Sequence, residues 1–299
     1  MLLLTVVYNR SMEYLIDEIK DMKKCFEDKK VILGVVESII EDTHFIKIFC
    51  NDDNLSDSSR KSFNLQFANM LYNIVTVEFC KKEINNFLEE TYFFLKYNEI
   101  KQIKPKIQEA LLSEGAISGP NMVYCINRKN KIIDKITKCI QENNEINISG
   151  FLTFRTKELN GDLECIVDKV VEEYMVEKEY NEFIKLLKYF VEVQECKVDV
   201  VNILIEKNGN YYLTDGDGND LVGDMIMELP NVNFDLKENQ EELIISTMIT
   251  SAPKKIIIHC VEHCKNKELI TTISKVFVDR VYYCDECDEC QRIKKGILV

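Results

Sequence analysis

The sequence contains few of the residues that break helices or make tight turns. Only 4 of its 299 residues are proline and 10 are glycine. An all-β sandwich needs many tight turns, so this scarcity argues against that class and favours long helices. Histidine is scarce too, with 3 residues in the whole chain. A serine or threonine nucleophile activated by a histidine base therefore has no support in the sequence.

Long hydrophobic runs are also missing. No stretch reaches the roughly 18 uninterrupted apolar residues that a membrane-spanning helix needs. The apolar segment Leu2–Val7 is short, with no basic residue before it and no small-residue cleavage site after it. That pattern is typical of a buried strand and not of a signal peptide. We therefore expect a cytoplasmic protein without membrane insertion, whose 12 cysteines stay reduced and form no disulfide framework.

Basic residues are fewer than acidic ones. The chain has 51 acidic residues against 38 lysines and arginines, a formal net charge of -13. Such a charge repels phosphate backbones unless basic residues cluster locally. The two best basic runs, Lys20–Lys24 and Arg128–Lys138, are interleaved with acidic or apolar residues, as on the solvated face of a helix. We expect no nucleic-acid partner.

Hydrophobic periodicity divides the chain into three regions and predicts an α+β fold. Residues 1–55 predict a small α/β unit, in which His44 follows a turn and is expected at the surface. A polar linker at 51–59 precedes a largely helical centre, residues 56–197, which is punctuated at Pro105 and at Gly115–Pro120. A further turn or kink is expected at Glu177–Glu179, where the apolar phase breaks.

The third region, residues 198–299, predicts a C-terminal α/β unit. Two β-like runs flank residues 207–210 and predict a hairpin with Gly209 at its turn. The order then becomes strand, helix, strand, at Lys254–Cys260, Glu268–Phe277 and Val278–Cys284. A crossover of this kind within one sheet makes its two strands parallel.

Five cysteines and two histidines concentrate near the C-terminus. They form two groups, which are His259, Cys260, His263 and Cys264, then Cys284, Cys287 and Cys290. Spacings of two residues let neighbouring thiolates face one metal from a tight loop. Each group follows the end of one of the two predicted parallel strands. The sequence therefore predicts that the groups meet at one sheet edge, where open α/β sheets usually bind ligands.

Zinc is the first interpretation of this cluster, with Cys284, Cys287, Cys290 and one donor from residues 259–264. An iron–sulfur cluster is the second, although the bacterial ferredoxin pattern needs a fourth cysteine and a proline where Gln291–Lys294 follow. The acidic residues between the thiols favour a cation and disfavour thiolates, which argues against a nucleophilic cysteine. A redox-active dithiol and an acidic tail with incidental thiols are the alternatives.

The acidic loop Thr214–Asp220 resembles a calcium-binding loop at first sight. It lacks glycine at the sixth position, Asp220, and glutamate at the twelfth, Ile226. We interpret it as a hairpin turn. A metal-dependent enzyme that uses Asp215, Asp217 and Asp220 is the weakest of the hypotheses.

Two central stretches, GFLTFRTKEL (Gly150–Leu159) and VDKVVEEYMVEKEYNEFIKLLKYFVEVQ (Val167–Gln194), carry a family resemblance, and FANMLYNIV (Phe67–Val75) supports it. In these stretches the chain resembles the YtxC-like family of sporulation proteins from endospore-forming bacteria. The resemblance implies a cytoplasmic protein linked to spore formation, and it implies no reaction and no catalytic residue. We therefore expect a non-enzymatic interaction or regulatory protein with a protein partner. A metal-binding protein, structural or catalytic, is the alternative.

A polar set lies within this otherwise apolar-faced helical block: Arg155, Glu177, Lys178, Glu179 and Tyr180. Helix capping and ion pairs are the simpler explanation for such residues. A groove that binds a partner or ligand is the functional interpretation.

Overall fold

The computed structural model describes residues 1–9, 12, 14–28, 30–51, 56–113, 121–223, 240–284 and 286–294. The chain divides into two compact units, Met1–Met175 and Val176–Val299. Each unit contains one four-stranded mixed sheet, and helices make up most of the remaining described residues. The predicted α+β class is therefore confirmed. The finer division at residues 55 and 197 stays a prediction.

The sheet of the first unit has the strand order β2-β3-β1-β4. Its strands are β1 (Leu2–Asn9), β2 (Leu33–Ile40), β3 (Thr43–Cys50) and β4 (Glu145–Asn147). β1 pairs antiparallel with β3 and parallel with β4. The residues of β1 from Leu3 to Tyr8 are all buried. Both faces of this strand are therefore covered, which explains the continuous apolar run in the sequence.

The helices of the first unit are α1 (Tyr14–Glu27), α2 (Asp57–Lys82), α3 (Ile84–Thr91), α4 (Tyr97–Leu112), α5 (Met122–Glu142), α6 (Ile148–Phe154) and the start of α7 (Thr156–Val193). Their apolar faces share one hydrophobic core with the sheet. Ser56 caps α2, since its Oγ accepts a hydrogen bond from the Ser59 amide at 3.1 Å. Residues 52–55 of the predicted linker and the predicted break at 115–120 lie outside the described residues. The break predicted at Pro105 is wrong, because α4 continues through this residue.

A buried carboxylate connects α5 with α7. Asp162 accepts hydrogen bonds from Arg128 at 2.8 Å, Lys131 at 2.9 Å and Lys135 at 2.6 Å. Burial alone would raise the pKa of Asp162, but the hydrogen bonds from these three cations outweigh burial and lower it. Part of the basic run Arg128–Lys138, for which the sequence predicts a solvated helix face, therefore holds two helices together.

Two local predictions are wrong. His44 is buried on β3, where its ring stacks on Tyr8 and its Nδ1 lies 2.7 Å from Oε1 of Glu37. The alternation of the strand turns this side chain inward, which a position next to a turn does not reveal. The turn expected at Glu177–Glu179 is absent, because α7 continues through these residues. Lys178 pairs with Glu182 one turn later, at 3.8 Å, so the charged residues are accommodated within the helix.

The second unit is built on a sheet with the order β6-β5-β7-β8. Its elements are β5 (Val200–Ile205), β6 (Tyr211–Asp215), β7 (Lys255–His259), β8 (Val281–Tyr283), the second half of α7, α8 (Gln240–Ser251), α9 (Lys267–Val276) and α10 (Asp288–Lys294). β5 and β6 form the predicted antiparallel hairpin, and Gly209 takes a φ of 93° in its turn, which only glycine adopts easily. β5, β7 and β8 are parallel, as the strand–helix–strand order predicts.

The two faces of this second sheet have different partners. Val201 and Ile203 on β5, with Ile256 and Ile258 on β7, belong to a core that includes residues of α7, α8 and α9. Asn202, Leu204 and His259 lie on the opposite face, because strand residues alternate in direction. β8 begins later than expected, since Val278–Arg280 form a 3₁₀ turn before it.

Candidate metal centre

Four metal-binding side chains meet at the carboxyl edge of the second sheet. His259 is the last residue of β7, Cys284 directly follows β8, and Cys287 and Cys290 lie just before and within the first turn of α10. One ligand atom from each residue lies within 4.8 Å of all the others. Parallel strands place their carboxyl ends at one edge, so residues 25 or more apart in sequence converge here.

Four of the six separations match the edges of a mononuclear tetrahedral site, and the other two are no longer than 4.8 Å. Nδ1 of His259 lies 3.4 Å from Sγ of Cys287 and 3.4 Å from Sγ of Cys290. Sγ of Cys290 lies 3.7 Å from Sγ of Cys287 and 3.7 Å from Sγ of Cys284. A tetrahedron with Zn–S bonds of about 2.3 Å has sulfur–sulfur edges of about 3.8 Å, and with Zn–N near 2.05 Å its sulfur–nitrogen edges are about 3.6 Å.

A hydrogen-bond relay fixes the orientation of the histidine ring. Nε2 of His259 lies 3.3 Å from Oδ1 of Asn202 on the neighbouring strand. The amide nitrogen of Asn202 in turn donates to the backbone carbonyl of Asp215 at 3.0 Å, so its oxygen is presented to the ring. Because Oδ1 of Asn202 can only accept, Nε2 donates the hydrogen bond, and in the neutral ring the lone pair of Nδ1 faces the thiols.

The thiols sit in a partly desolvated environment. His259 and Cys290 are buried, whereas Cys284 and Cys287 are partly buried. Burial raises the pKa of Cys284 and the pKa of Cys290 to about 11. Without a nearby cation both thiols therefore hold their protons at neutral pH, and a bound metal would release them.

The other predicted ligands have different surroundings. Cys260 is buried in a small cluster with Leu204 and Cys290, and its Sγ lies 3.9 Å from the carbonyl oxygen of Cys290. Sγ of Cys264 lies 3.1 Å from the carbonyl oxygen of Asn266, and Nδ1 of His263 lies 3.1 Å from that of Ile205. The structure thus brings four of the seven candidates to one point and places Cys260 beside them. Their roles as ligands stay a prediction.

The carboxylates of the acidic loop after β6 accept hydrogen bonds from residues next to them in the chain. Asp215 accepts hydrogen bonds from the amides of Asp217 and Asn219 and from the side chain of Asn219. The hydrogen bonds from Asn219 lower the pKa of Asp215. Asp220 accepts from the amide of Val222 at 3.0 Å. These contacts are those of a turn. Ile226, the twelfth position of the calcium pattern, lies outside the described residues.

The polar set of the central block is distributed over both units. Arg155 belongs to the first unit and pairs with Glu158 at 3.2 Å. Glu177, Lys178, Glu179 and Tyr180 belong to the second, where the hydroxyl of Tyr180 lies 3.0 Å from that of Thr272 and Lys275 lies over its ring. Their role as a binding groove stays a prediction.

Sequence reasoning missed Asn202. A single amide within the apolar strand sequence VVNILI is a signal, because a polar residue in such a strand needs a partner. Only the strand order shows that this partner is His259.

The sequence model of the YtxC-like family matches residues 65–282, and the chain therefore belongs to that family. The uncharacterized protein YtxC of Bacillus subtilis (strain 168) is 25% identical over 189 residues, which cover 57% of this chain and 67% of that protein. No solved structure matches the chain. The family match includes His259 and ends two residues before Cys284. Within the part of the chain that the structure describes, no helix has the length and apolar character needed to cross a membrane.

Proposed function

We propose that this chain is a non-enzymatic zinc-binding protein whose C-terminal segment is held by His259, Cys284, Cys287 and Cys290. The observation that supports this most strongly is the convergence of four donor atoms within 4.8 Å. Four protein donors complete a tetrahedral shell and leave no position for a substrate or an activated water. Such closed sites are structural, whereas catalytic zinc sites have three protein ligands and one open position.

The surroundings of the site support a structural role. Among the described residues, the apolar cluster beside the site has Leu204, Cys260 and Cys290 as its buried members, with Cys284 and Cys287 packed against it. A cluster of this size offers little apolar burial to hold α10 against the sheet. A metal bound by residues from β7, from the end of β8 and from α10 would supply the missing stabilisation.

Zinc fits this arrangement better than an iron–sulfur cluster. The four ligand atoms lie within 4.8 Å of one another, and the four shortest separations are close to the edges of a site for one tetrahedral ion. An iron–sulfur cluster distributes its protein ligands over two or four iron atoms, so its thiolates lie farther apart.

Elemental analysis of anaerobically purified protein tests the proposal. We expect one equivalent of zinc per chain, and less than about a tenth of an equivalent in Cys287→Ser and Cys290→Ser, since each loses a thiolate ligand. Cys25→Ser is the matched control, because Cys25 is exposed and lies in the first unit. Wild-type protein that holds neither zinc nor added cobalt, the latter followed by its visible absorption, would refute the proposal.

We also propose that the protein acts through a protein partner in the cytoplasm of spore-forming cells, as an interaction or regulatory protein. Membership of the YtxC-like family supports this role. The test compares proteins captured from sporulating cells by the wild-type chain and by a variant with alanine at Glu177, Lys178 and Glu179. Loss of a specific partner in the variant is expected. Identical capture by both would remove this surface from the proposal.

A further inference from the structure

The second half of α7 carries two apolar faces. One face packs into the core of the second unit through Ile184, Leu187 and Val191. The other, named here the α7 stripe, comprises Val176, Phe183, Leu186, Tyr189, Phe190 and Val193. These six large side chains are 43–62% exposed. A surface helix normally presents polar residues opposite its core face, so this helix has more apolar surface than its own unit buries.

The α7 stripe follows a heptad pattern. Val176, Phe183 and Phe190 are separated by seven residues, as are Leu186 and Val193, and the two series are offset by three. These are the a and d positions of a coiled coil, where side chains of one helix pack between those of another. The stripe extends about 27 Å along the helix axis, which is enough for several such layers.

One position of the heptad pattern is not apolar, and this position indicates whether two α7 helices would pair parallel or antiparallel. The d position before Phe183 is Glu179. A parallel pair of α7 helices would bring two Glu179 carboxylates together within the seam, which costs free energy. An antiparallel pair places Val176 against Val193 of the partner subunit and Phe183 against Leu186 of the partner subunit. Glu179 then lies opposite Phe190 of the partner subunit, so no like charges face each other at an a or d position.

We propose that the α7 stripe is the interface of a two-fold symmetric dimer, in which α7 pairs antiparallel with α7 of a second copy. The antiparallel register matches the stripe to itself, which a two-fold interface requires. The exposed parts of the six side chains amount to about 600 Å² per copy, or about 1,200 Å² in the dimer. This area reaches the lower limit for a specific protein–protein interface.

Sedimentation or light scattering of the full-length protein at micromolar concentration tests the dimer. We expect twice the chain mass of 35.0 kDa. Leu186→Glu and Phe190→Glu should each return the protein to the mass of one chain. The first adds a charge to the central layer of the seam, and the second places a carboxylate opposite Glu179 of the partner subunit. Phe93→Glu is the matched control, since Phe93 is 83% exposed but lies in the first unit, and this variant should stay dimeric.

A wild-type chain that stays monomeric at 100 µM, or a dimer that both α7 variants leave intact, would overturn the proposal. Circular dichroism and thermal unfolding establish that the variants are folded. The direction of pairing is tested with benzoylphenylalanine in place of Glu179. The expected photo-crosslink joins it to the peptide containing Phe190 of the partner subunit. A crosslink between the two 179 positions would refute the antiparallel arrangement.

Discussion

The side-chain oxygen of Asn202 lies 3.3 Å from Nε2 of His259, on the neighbouring parallel strand. Asn202 pairs with Ile257 and Leu204 pairs with His259, so the two polar side chains are diagonal neighbours on one face of the sheet. The side-chain nitrogen of Asn202 donates a second hydrogen bond, to the carbonyl of Asp215. This bond holds the amide so that its oxygen accepts a hydrogen bond from the ring. Asn202 is therefore positioned to determine which nitrogen of the His259 ring faces the thiols.

Replacing Asn202 should weaken metal binding without removing a ligand. For Asn202→Leu we expect zinc affinity to fall about 10- to 100-fold, because the ring loses the acceptor that orients it. Competition with a chromophoric chelator measures this change. Asn208→Ala in the exposed hairpin turn is the control and should bind zinc like the wild type. Equal affinity of Asn202→Leu and wild type would show that the relay is irrelevant to binding.

Removal of zinc should destabilise the second unit. A ligand that binds only the folded state at 1,000 times its Kd stabilises that state by about 4 kcal/mol. We expect a strong chelator to lower the midpoint of thermal unfolding of the wild type, and re-addition of zinc to restore it. Cys290→Ser should unfold at a lower temperature and should not respond to the chelator. A wild-type curve that the chelator leaves unchanged would contradict a structural role.

Loss of the buried carboxylate should destabilise the first unit. We expect Asp162→Asn to cost about 2 kcal/mol of unfolding free energy, less than a fully buried ion pair because its three cations are partly exposed. Chemical denaturation at pH 7 measures this cost. Glu158→Gln is the control, because its ion pair with Arg155 is exposed and should contribute less than about 0.5 kcal/mol.

The difference in stability between the wild type and Asp162→Asn should depend on pH. Because the folded-state pKa of Asp162 is lowered, its stabilisation is fully present above the unfolded-state value of about 3.9. It is lost as pH falls through the lower folded-state pKa. The difference in stability between wild type and Asp162→Asn should therefore be constant from pH 5 to 8 and shrink below about pH 4. A constant difference down to pH 3 would contradict this prediction.

A buried hydroxyl offers a simpler test of the first core. The side chain of Tyr72 is fully buried and donates to the carbonyl of Leu111 at 2.8 Å, which connects α2 with α4. Burial raises the pKa of Tyr72 to about 12. Tyr72→Phe should cost about 1 kcal/mol, because the carbonyl loses its buried donor. Tyr97→Phe, at an exposed position on α4, should change stability by less than the error of the measurement.

Local sequence patterns predicted most helices and strands, because the spacing of apolar residues follows the period of the element they belong to. The apolar run of Leu2–Val7, the hairpin around Gly209 and the strand–helix–strand order after Pro253 all correspond to observed elements. The patterns failed at two places. His44 lies at a turn in the sequence pattern but is buried by a tertiary contact with Tyr8. The charged residues 177–179 continue a helix, which accommodates them with the local pair of Lys178 and Glu182.

For the candidate metal centre, the sequence by itself determined that two groups of donors follow two parallel strands and can meet at one sheet edge. It did not determine which donor of the first group faces the thiols of the second. His259 and Cys264 are both able to bind a metal, and of these two only His259 faces the thiols of the second group. Cys264 lies beyond β7, after the 3₁₀ turn Val261–His263. His259 ends β7, so a shift of one residue in the register of that strand would turn its side chain away. That register, and with it the contact between Asn202 and His259, is set by the packing of neighbouring strands and not by the local sequence.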